Sequence, residues 1–299
     1  MADRFEPELV RTLRRDRQHG SSALAQRTLT DLADLIRNTH LSTASTLRGR
    51  LFDIADQIAA ARPSMATIVN QMAWWKATLE DFNEDDLLGF RSHALAAIER
   101  LQCQSQQAVY SAAHNMSLEL GPDQVVMTIS LSSTVVRTFE FLAPRISAIV
   151  TESRPPGEGR TLVEQLSKLG ITTDFITDAQ MGHFISSATA AIVGADTVAV
   201  DGSILNKSGT YLLALAAREY RVPFYACFES FKLSKASPEK ISLEPHTPDE
   251  FDPPKLPHVT AHNIYFELTP AKLVTAWITE HGVFKDFRQL PLSSSPARQ

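Results

Sequence analysis

The residues of this 299-residue chain best suited to chemistry lie in AAIVGADTVAVDGSILNKSGTYLLALAAREYRVPFYACFESFKLS, residues 190–234. An apolar run, read as a strand, ends at Gly194-Ala195-Asp196 and sets a carboxylate at its carboxyl end. The polar turn Asp201-Gly202-Ser203 leads to Asn206, Lys207, Ser208, Gly209 and Thr210, read as the start of a helix over Lys207–Tyr220. Backbone N–H groups at a helix start, beside a lysine and small residues, suit an anion such as phosphate. Lys232 follows the next apolar run within Glu229-Ser230-Phe231-Lys232, and Arg154 follows an earlier one within Glu152-Ser153-Arg154-Pro155-Pro156. A guanidinium holds phosphate bidentately. Taken singly, each cation is more often a solvated surface charge, and Asp196 a helix cap or ion-pair partner. Their shared position at strand ends is what points to a phosphorylated small molecule.

Positioning these groups requires a sheet. Short apolar runs at Val125–Ile129, Ile146–Thr151, Thr173–Ile176, Ala191–Val193 and Phe224–Cys227 read as strands. Between them Ser132–Phe141, Gly159–Leu169 and Lys207–Tyr220 read as helices. That alternation predicts βαβ units and a parallel sheet covered on both faces, whose ligands bind at the carboxyl ends of the strands. The first 120 residues read as helices only. Leu47, Leu51, Ile54 and Ile58 are spaced four, three and four, and Pro63 ends that helix. A longer helical pattern runs through Leu87, Phe90, Ala94, Ala97, Leu101, Ala108 and Ala112 to the break at Gly121-Pro122. Residues 234–260 hold six of the 16 prolines and read as a surface loop or lid. Thr269-Pro270 reads as the cap and first residue of a last helix carrying Leu273, Val274, Trp277 and Ile278. The terminal PLSSSPARQ reads as frayed. The expected fold class is α/β: an N-terminal helical domain, 1–120, followed by a Rossmann-like domain with a mainly parallel sheet, 121–299, which carries the pocket.

Composition narrows the classes. Lys and Arg number 29 against 34 Asp and Glu, a net charge of −5, which argues against a binder living on nucleic-acid phosphates. The 43% hydrophobic content is that of a globular chain. Cys103 and Cys227 cannot build a disulfide framework or a four-thiolate zinc site. The apolar stretch YLLALAA at 211–217 is far short of a membrane span, and the first residues lack the apolar core of a signal peptide. A cytoplasmic location is expected. There is no P-loop, no H-E-x-x-H and no paired C-x-x-C, and Gly157-Glu158-Gly159 lacks the third glycine of a dinucleotide fingerprint, Leu162 standing there. His183, isolated in sequence, reads as structural rather than as a ligand. No metal and no cofactor are expected.

The stretch 194–210, GAD-x(9)-NK-x-GT, followed by LALAA and PFY, resembles the initiation factor 2B alpha/beta/delta family. Its isomerase relatives, ribose-1,5-bisphosphate isomerase and methylthioribose-1-phosphate isomerase, share the signature. ESRP at 152–155, ESFKLS at 229–234 and FELTPAKLVTAWITEHGVF at 266–284 agree, and GSSALAQRTLTDLADLI at 20–36 is similar to the opening helix of the initiation-factor branch. The resemblance implies an N-terminal helical domain on a Rossmann-like domain, and a dimer formed through the latter. In the isomerases a cysteine at the end of the first strand and the GAD aspartate act as an acid–base pair, which the movement of a proton between adjacent carbons requires. Asp196 matches that aspartate. The cysteine position falls on Ser130, and a serine hydroxyl is a far poorer base than a thiolate. The isomerases' Arg-Gly-Ala phosphate loop is also absent; Gly20-Ser21-Ser22-Ala23 occupies that region. Asn206, Lys207, Lys232 and Arg154 match the family's ligand-binding residues, and Ser132 falls in another ligand-contacting turn.

An intact anion grip with half of the acid–base pair missing resembles the alpha subunit of the initiation factor. The leading expectation is thus a non-catalytic, regulatory protein that binds a sugar phosphate. The second is an active aldose–ketose isomerase on a phosphorylated ribose, with Asp196 and Ser130 in the catalytic positions; the third is a structural partner with a vestigial pocket. A phosphorylated sugar or nucleotide is the expected ligand and a homodimer the expected assembly, with related subunits as further candidates. No membrane and no direct nucleic-acid contact is expected.

Overall fold

Leu47, Leu51, Ile54 and Ile58 are each no more than 1% exposed, so the four-three-four spacing marks the inner face of a helix. The computed structural model describes residues 7–16, 19–80, 82, 86–241, 243–244 and 246–291. The chain divides into two compact units, one up to Gln107 and one from Ala108 onward. In the first, α1 (Glu8–Arg15), α2 (Ser21–Asn38), α3 (Ala44–Ala61), α4 (Ala66–Leu79) and the start of α5 (Leu87–Leu120) make an all-helical bundle. The Thr43 hydroxyl accepts from the Thr46 N–H and caps α3, and Pro63 follows its end. Trp75 is buried and its indole N–H donates to the Ala94 carbonyl at 3.0 Å, so α4 and α5 are joined by a polar bond inside an apolar core. The division between units falls within α5, whose helix continues to Leu120.

The second unit is built on strands β1 (Val125–Thr128), β2 (Ser147–Thr151), β3 (Thr172–Ile176), β4 (Ala190–Val193), β5 (Thr197–Val198), β6 (Ile204–Lys207), β7 (Phe224–Cys227), β8 (Phe266–Thr269), β9 (Ala276–Thr279) and β10 (Gly282–Phe284). Its helices are α6 (Ser133–Leu142), α7 (Gly159–Lys168), α8 (Met181–Phe184) and α9 (Thr210–Glu219). Seven strands form one sheet in the order β10-β9-β7-β4-β1-β2-β3, parallel throughout except for β10 at one edge. Alternate residues feed the two faces. Val126, Ala148, Val150 and Ile192 pack with Val135 and Phe139 of α6 and Leu162 and Leu166 of α7. Met127, Ile149, Ala191 and Val193 pack with Leu213, Ala214 and Ala217 of α9 on the other side. Burial on both faces is why these strands read as unbroken apolar runs. The α/β class and the helical N-terminal region are as the sequence predicts, and no described helix is long and apolar enough to cross a membrane.

Two expectations are corrected. Residues after Thr269-Pro270 form a single 3₁₀ turn, Ala271–Leu273, and then the strand β9 beside β7; no helix carries Trp277 and Ile278. Leu273, Val274, Trp277 and Ile278 fit a helical face, yet the neighbouring Val274, Thr275, Ile278 and Thr279 are β-branched, and the Trp277 N–H donates to the Gly202 carbonyl at 2.9 Å. Asn206 and Lys207 end strand β6 and do not begin a helix. That strand pairs antiparallel with β5 and β8 in a second, three-stranded sheet, and α9 starts only at Thr210. Residues 234–260 hold two 3₁₀ turns, Pro238–Lys240 and Pro248–Phe251, and otherwise no regular element among the described residues. The terminal PLSSSPARQ lies outside the described residues apart from Pro291.

Phe139 fills the α6 side of the sheet at 1% exposure, so Phe139→Ala is expected to lower unfolding stability by ~3–5 kcal/mol in urea titration. Cys227, on the same side, has its thiol pushed up from 9.0 to about 12, first by burial, while Cys103 is exposed. The folded protein therefore keeps a proton that the unfolded chain releases above pH 9. This contribution to stability is complete below pH 9 and is lost as the pH rises towards 12. Native protein treated with a thiol reagent at pH 8 should be labelled at Cys103 and not at Cys227; equal labelling would contradict the buried position.

Candidate functional site

Strand β1 runs out into Ser130, whose backbone turns left-handed at φ 70°. Its N–H donates to the Ser153 hydroxyl at 2.7 Å, just beyond the end of β2. Ser153 is also left-handed, at φ 61°, and the Ser153 and Arg154 N–H groups both donate to the Asp178 carboxylate, at 2.9 and 2.7 Å, beyond the end of β3. The carboxyl ends of three adjacent strands are thus tied together by side-chain bonds to backbone N–H groups, where open parallel sheets hold their ligands. Beyond β4, Gly194 lies against Ser132 at the start of α6. A Cβ built on Gly194 would stand 2.4 Å from the Ser132 Oγ, so only glycine allows this approach. Asp196, two residues further, is buried.

The residue that joins these pieces is Glu158. Its Oε1 accepts from the Ser130 hydroxyl at 2.9 Å and pairs with the Lys207 ammonium at 2.7 Å. Lys207 also donates to the Pro155 carbonyl at 3.0 Å, and its Nζ stands 4.5 Å from the centroid of the Tyr265 ring. The Lys207 side chain is 5% exposed and that of Glu158 17%. Glu158 Oε2 is buried with no hydrogen-bond partner among the described residues. Glu158 immediately precedes Gly159, whose close approach to the Thr151 carbonyl, 1.9 Å from a built Cβ, brings the start of α7 down onto β2. Asn206 makes its bond away from this group: its Nδ2 donates to the Thr210 hydroxyl at 2.9 Å, which in turn donates to the Lys207 carbonyl.

The remaining cations differ in setting. Lys232 is buried and faces the equally buried Glu229 at 3.4 Å. Its segment is held to β5, the strand that follows Asp196, by the Ser234 N–H donating to the Val198 carbonyl at 2.8 Å. Arg154 is exposed, and its guanidinium makes no ion pair among the described residues. The anion position expected at the start of α9 is already filled. Glu267, on β8, accepts from the Gly209 and Tyr211 N–H groups at 2.7 and 2.9 Å. Carboxylates that the sequence reading did not include join the three cations and Asp196: Glu158 pairs with Lys207 and Glu229 with Lys232, while Asp178 and Glu267 accept from backbone N–H groups nearby.

The structure therefore brings Ser130 and Lys207 together on one carboxylate and Ser132 next to the strand end before Asp196. Lys232 is carried on the segment beside β5. Sequence reasoning missed Glu158, Glu229, Asp178, Glu267 and Tyr265. The first had a signal, since Glu158 stands two residues beyond the Pro155-Pro156 pair in a strand-to-helix loop. Glu229 had one too, standing three residues before Lys232, whereas Asp178, Glu267 and Tyr265 are brought in by tertiary pairing. A thiolate is absent from the site: Cys227 donates from Sγ to the Ala112 carbonyl at 3.6 Å and holds its proton.

Residues 17–286 match the initiation factor 2 subunit family, IF-2B. A protein of Pyrococcus horikoshii named as a translation initiation factor eIF-2B subunit 2-like is 33% identical over 281 residues, 92% of this chain and 95% of that one. The crystal structure of the Pyrococcus horikoshii OT3 translation initiation factor eIF-2B superposes with a TM-score of 0.82 at 29% identity, covering 95% of this chain and 98% of that one. Ribose 1,5-bisphosphate isomerase of Archaeoglobus fulgidus is 34% identical over 157 residues, 51% of this chain and 50% of its own length. The match runs through the helical region and the parallel sheet alike, and this chain belongs to the IF-2B initiation factor 2 subunit family.

Proposed function

We propose that this chain is a sugar-phosphate-binding member of the family that regulates or assembles with a partner and does not catalyse isomerisation. One observation carries the reading: the hydroxyl at the position of the isomerases' cysteine, Ser130, donates its proton to Glu158. A proton transfer between adjacent sugar carbons needs two titratable groups of matched pKa, and a serine already bound as a donor to an ion-paired carboxylate supplies neither a base nor an acid near neutral pH. Cys227 does not take over, since it is a buried thiol with its pKa pushed up to about 12. Asp196 is then one half of a pair whose other half is missing. The retained Arg154, Lys207 and Lys232 support ligand binding without turnover, with a phosphate monoester of a pentose as the ligand class.

We include self-association in the same proposal. Leu212 and Leu215 are exposed on α9 at 59% and 39%, and a second copy of the chain would cover them. Sedimentation velocity should give a dimer, and a monomer at micromolar concentration would remove this part.

Ribose 1,5-bisphosphate or methylthioribose 1-phosphate should raise the melting temperature of the purified protein, while NMR of the same mixtures shows no product. Turnover that disappears in Asp196→Asn would replace the reading with that of an isomerase using a substitute base. Lys232→Ala removes a charge-assisted contact and should weaken sugar-phosphate binding by about tenfold in calorimetric titration, with an unchanged far-UV spectrum. Unchanged affinity would take Lys232 out of the pocket.

A further inference from the structure

Lys207 has three N–H groups and all are engaged in the free protein: one on Glu158, one on the Pro155 carbonyl and one towards the Tyr265 ring. At 5% exposure it has no face left for an incoming anion. A phosphate reaching this ammonium must therefore take the place of the Glu158 carboxylate, because both are anions that accept from the same donors. The pair is also poorly completed. Glu158 Oε2 is buried without a donor, which leaves the carboxylate less well solvated than it would be at the surface.

Glu158 has somewhere to go. It stands at the N-cap of the ten-residue helix α7, so a carboxylate that lets go of Lys207 stays beside the positive end of that helix and reaches water there. Gly157, at φ 100°, and Gly159 flank it. Arg154 lies on the same loop with an exposed guanidinium, ready to meet the ligand before Lys207 is vacated. Release of Glu158 also frees the Ser130 hydroxyl, which then has a proton to donate to the ligand.

Granting the sugar-phosphate pocket proposed above, on which this step rests, we propose that Glu158 is an internal substitute for the ligand's phosphate. Binding is an anion exchange at Lys207: the phosphate of a sugar phosphate enters, and the Glu158 carboxylate leaves. Glu158 thereby sets specificity. Inorganic phosphate, with no sugar to make further contacts, competes poorly with a tethered carboxylate, whereas a phosphate monoester with a hydroxylated body exchanges.

The test is calorimetric titration of ribose 5-phosphate, ribose 1,5-bisphosphate and inorganic phosphate into the full chain. The wild type is compared with Glu158→Gln, Glu158→Asp, Lys207→Met and the Glu158→Gln/Lys207→Met double variant. Glu158→Gln should bind the sugar phosphates about tenfold or more tightly than wild type and should gain measurable affinity for inorganic phosphate. Glu158→Asp, which keeps the charge on a shorter arm, should fall between the two and serves where the glutamine variant is not folded by circular dichroism. In the Lys207→Met background the Glu158→Gln gain should vanish, since the two residues act on one site. Sugar-phosphate binding by the wild type with equal or weaker binding by Glu158→Gln overturns the exchange and leaves the sugar-phosphate reading standing. An equal gain with and without Lys207 also overturns it. Absence of binding by every variant overturns both.

Discussion

An ammonium group taken out of water must keep its charge balanced and each of its hydrogens engaged, and Lys207 meets this demand at the end of β6. Its three partners come from separate parts of the chain: Glu158 and Pro155 from the loop after β2, and Tyr265 from the residues leading into β8. Ser130, after β1, joins through Glu158. One buried pair thus fixes the relative positions of the small antiparallel sheet and the carboxyl edge of the large parallel one. Removing one partner of such a pair costs about 3–5 kcal/mol, because the other is left charged and buried. The arrangement at the candidate site is therefore also part of what holds the second unit together.

The same logic runs along the whole edge. At three places where left-handed backbone or a helix start presents N–H groups, a carboxylate of the chain already accepts from them: Asp178 at Ser153 and Arg154, Glu267 at Gly209 and Tyr211, Glu280 at Ser230. Lys232 and Glu229 form a second buried pair. An edge built this way has its donors satisfied without a ligand, and the exposed Arg154 guanidinium stands apart from that pattern.

The parallel strands were legible in the sequence because burial on both faces forces unbroken apolar runs such as Ala190–Val193 and Phe224–Cys227, each bounded by polar turns. Arg154, Asp196 and Lys232, which follow β2, β4 and β7, could be placed beyond the carboxyl ends of these strands for the same reason. Asn206 and Lys207, the end of the short strand Ile204–Lys207, read as a helix start because four residues carry too little periodicity to mark a strand. Leu273, Val274, Trp277 and Ile278 satisfy a helical spacing while their β-branched neighbours favour the strand that forms. The carboxylates were hidden for a different reason. Nothing local in Glu267 says that it will sit on the N–H groups of residues 58 and 56 positions upstream, because such pairing exists only once β6 and β8 are side by side.

That last dependence reaches into how the chain assembles. The first turn of α9 is completed by a side chain from β8, and the intervening residues 234–260 are rich in proline and poor in regular structure. Closing so long a loop costs entropy before any bond repays it. The apolar face of α9 can settle on β4 and β7 by nearer contacts, while its amino end and the neighbouring Lys207 must wait for the distant strand. Strands β1, β2, β3, β4 and β7 pair without any residue beyond that loop, whereas β8, β9 and β10 all lie past it. On loop-closure cost the contacts across 234–260, among them the carboxylate that completes the first turn of α9, follow the five-strand core.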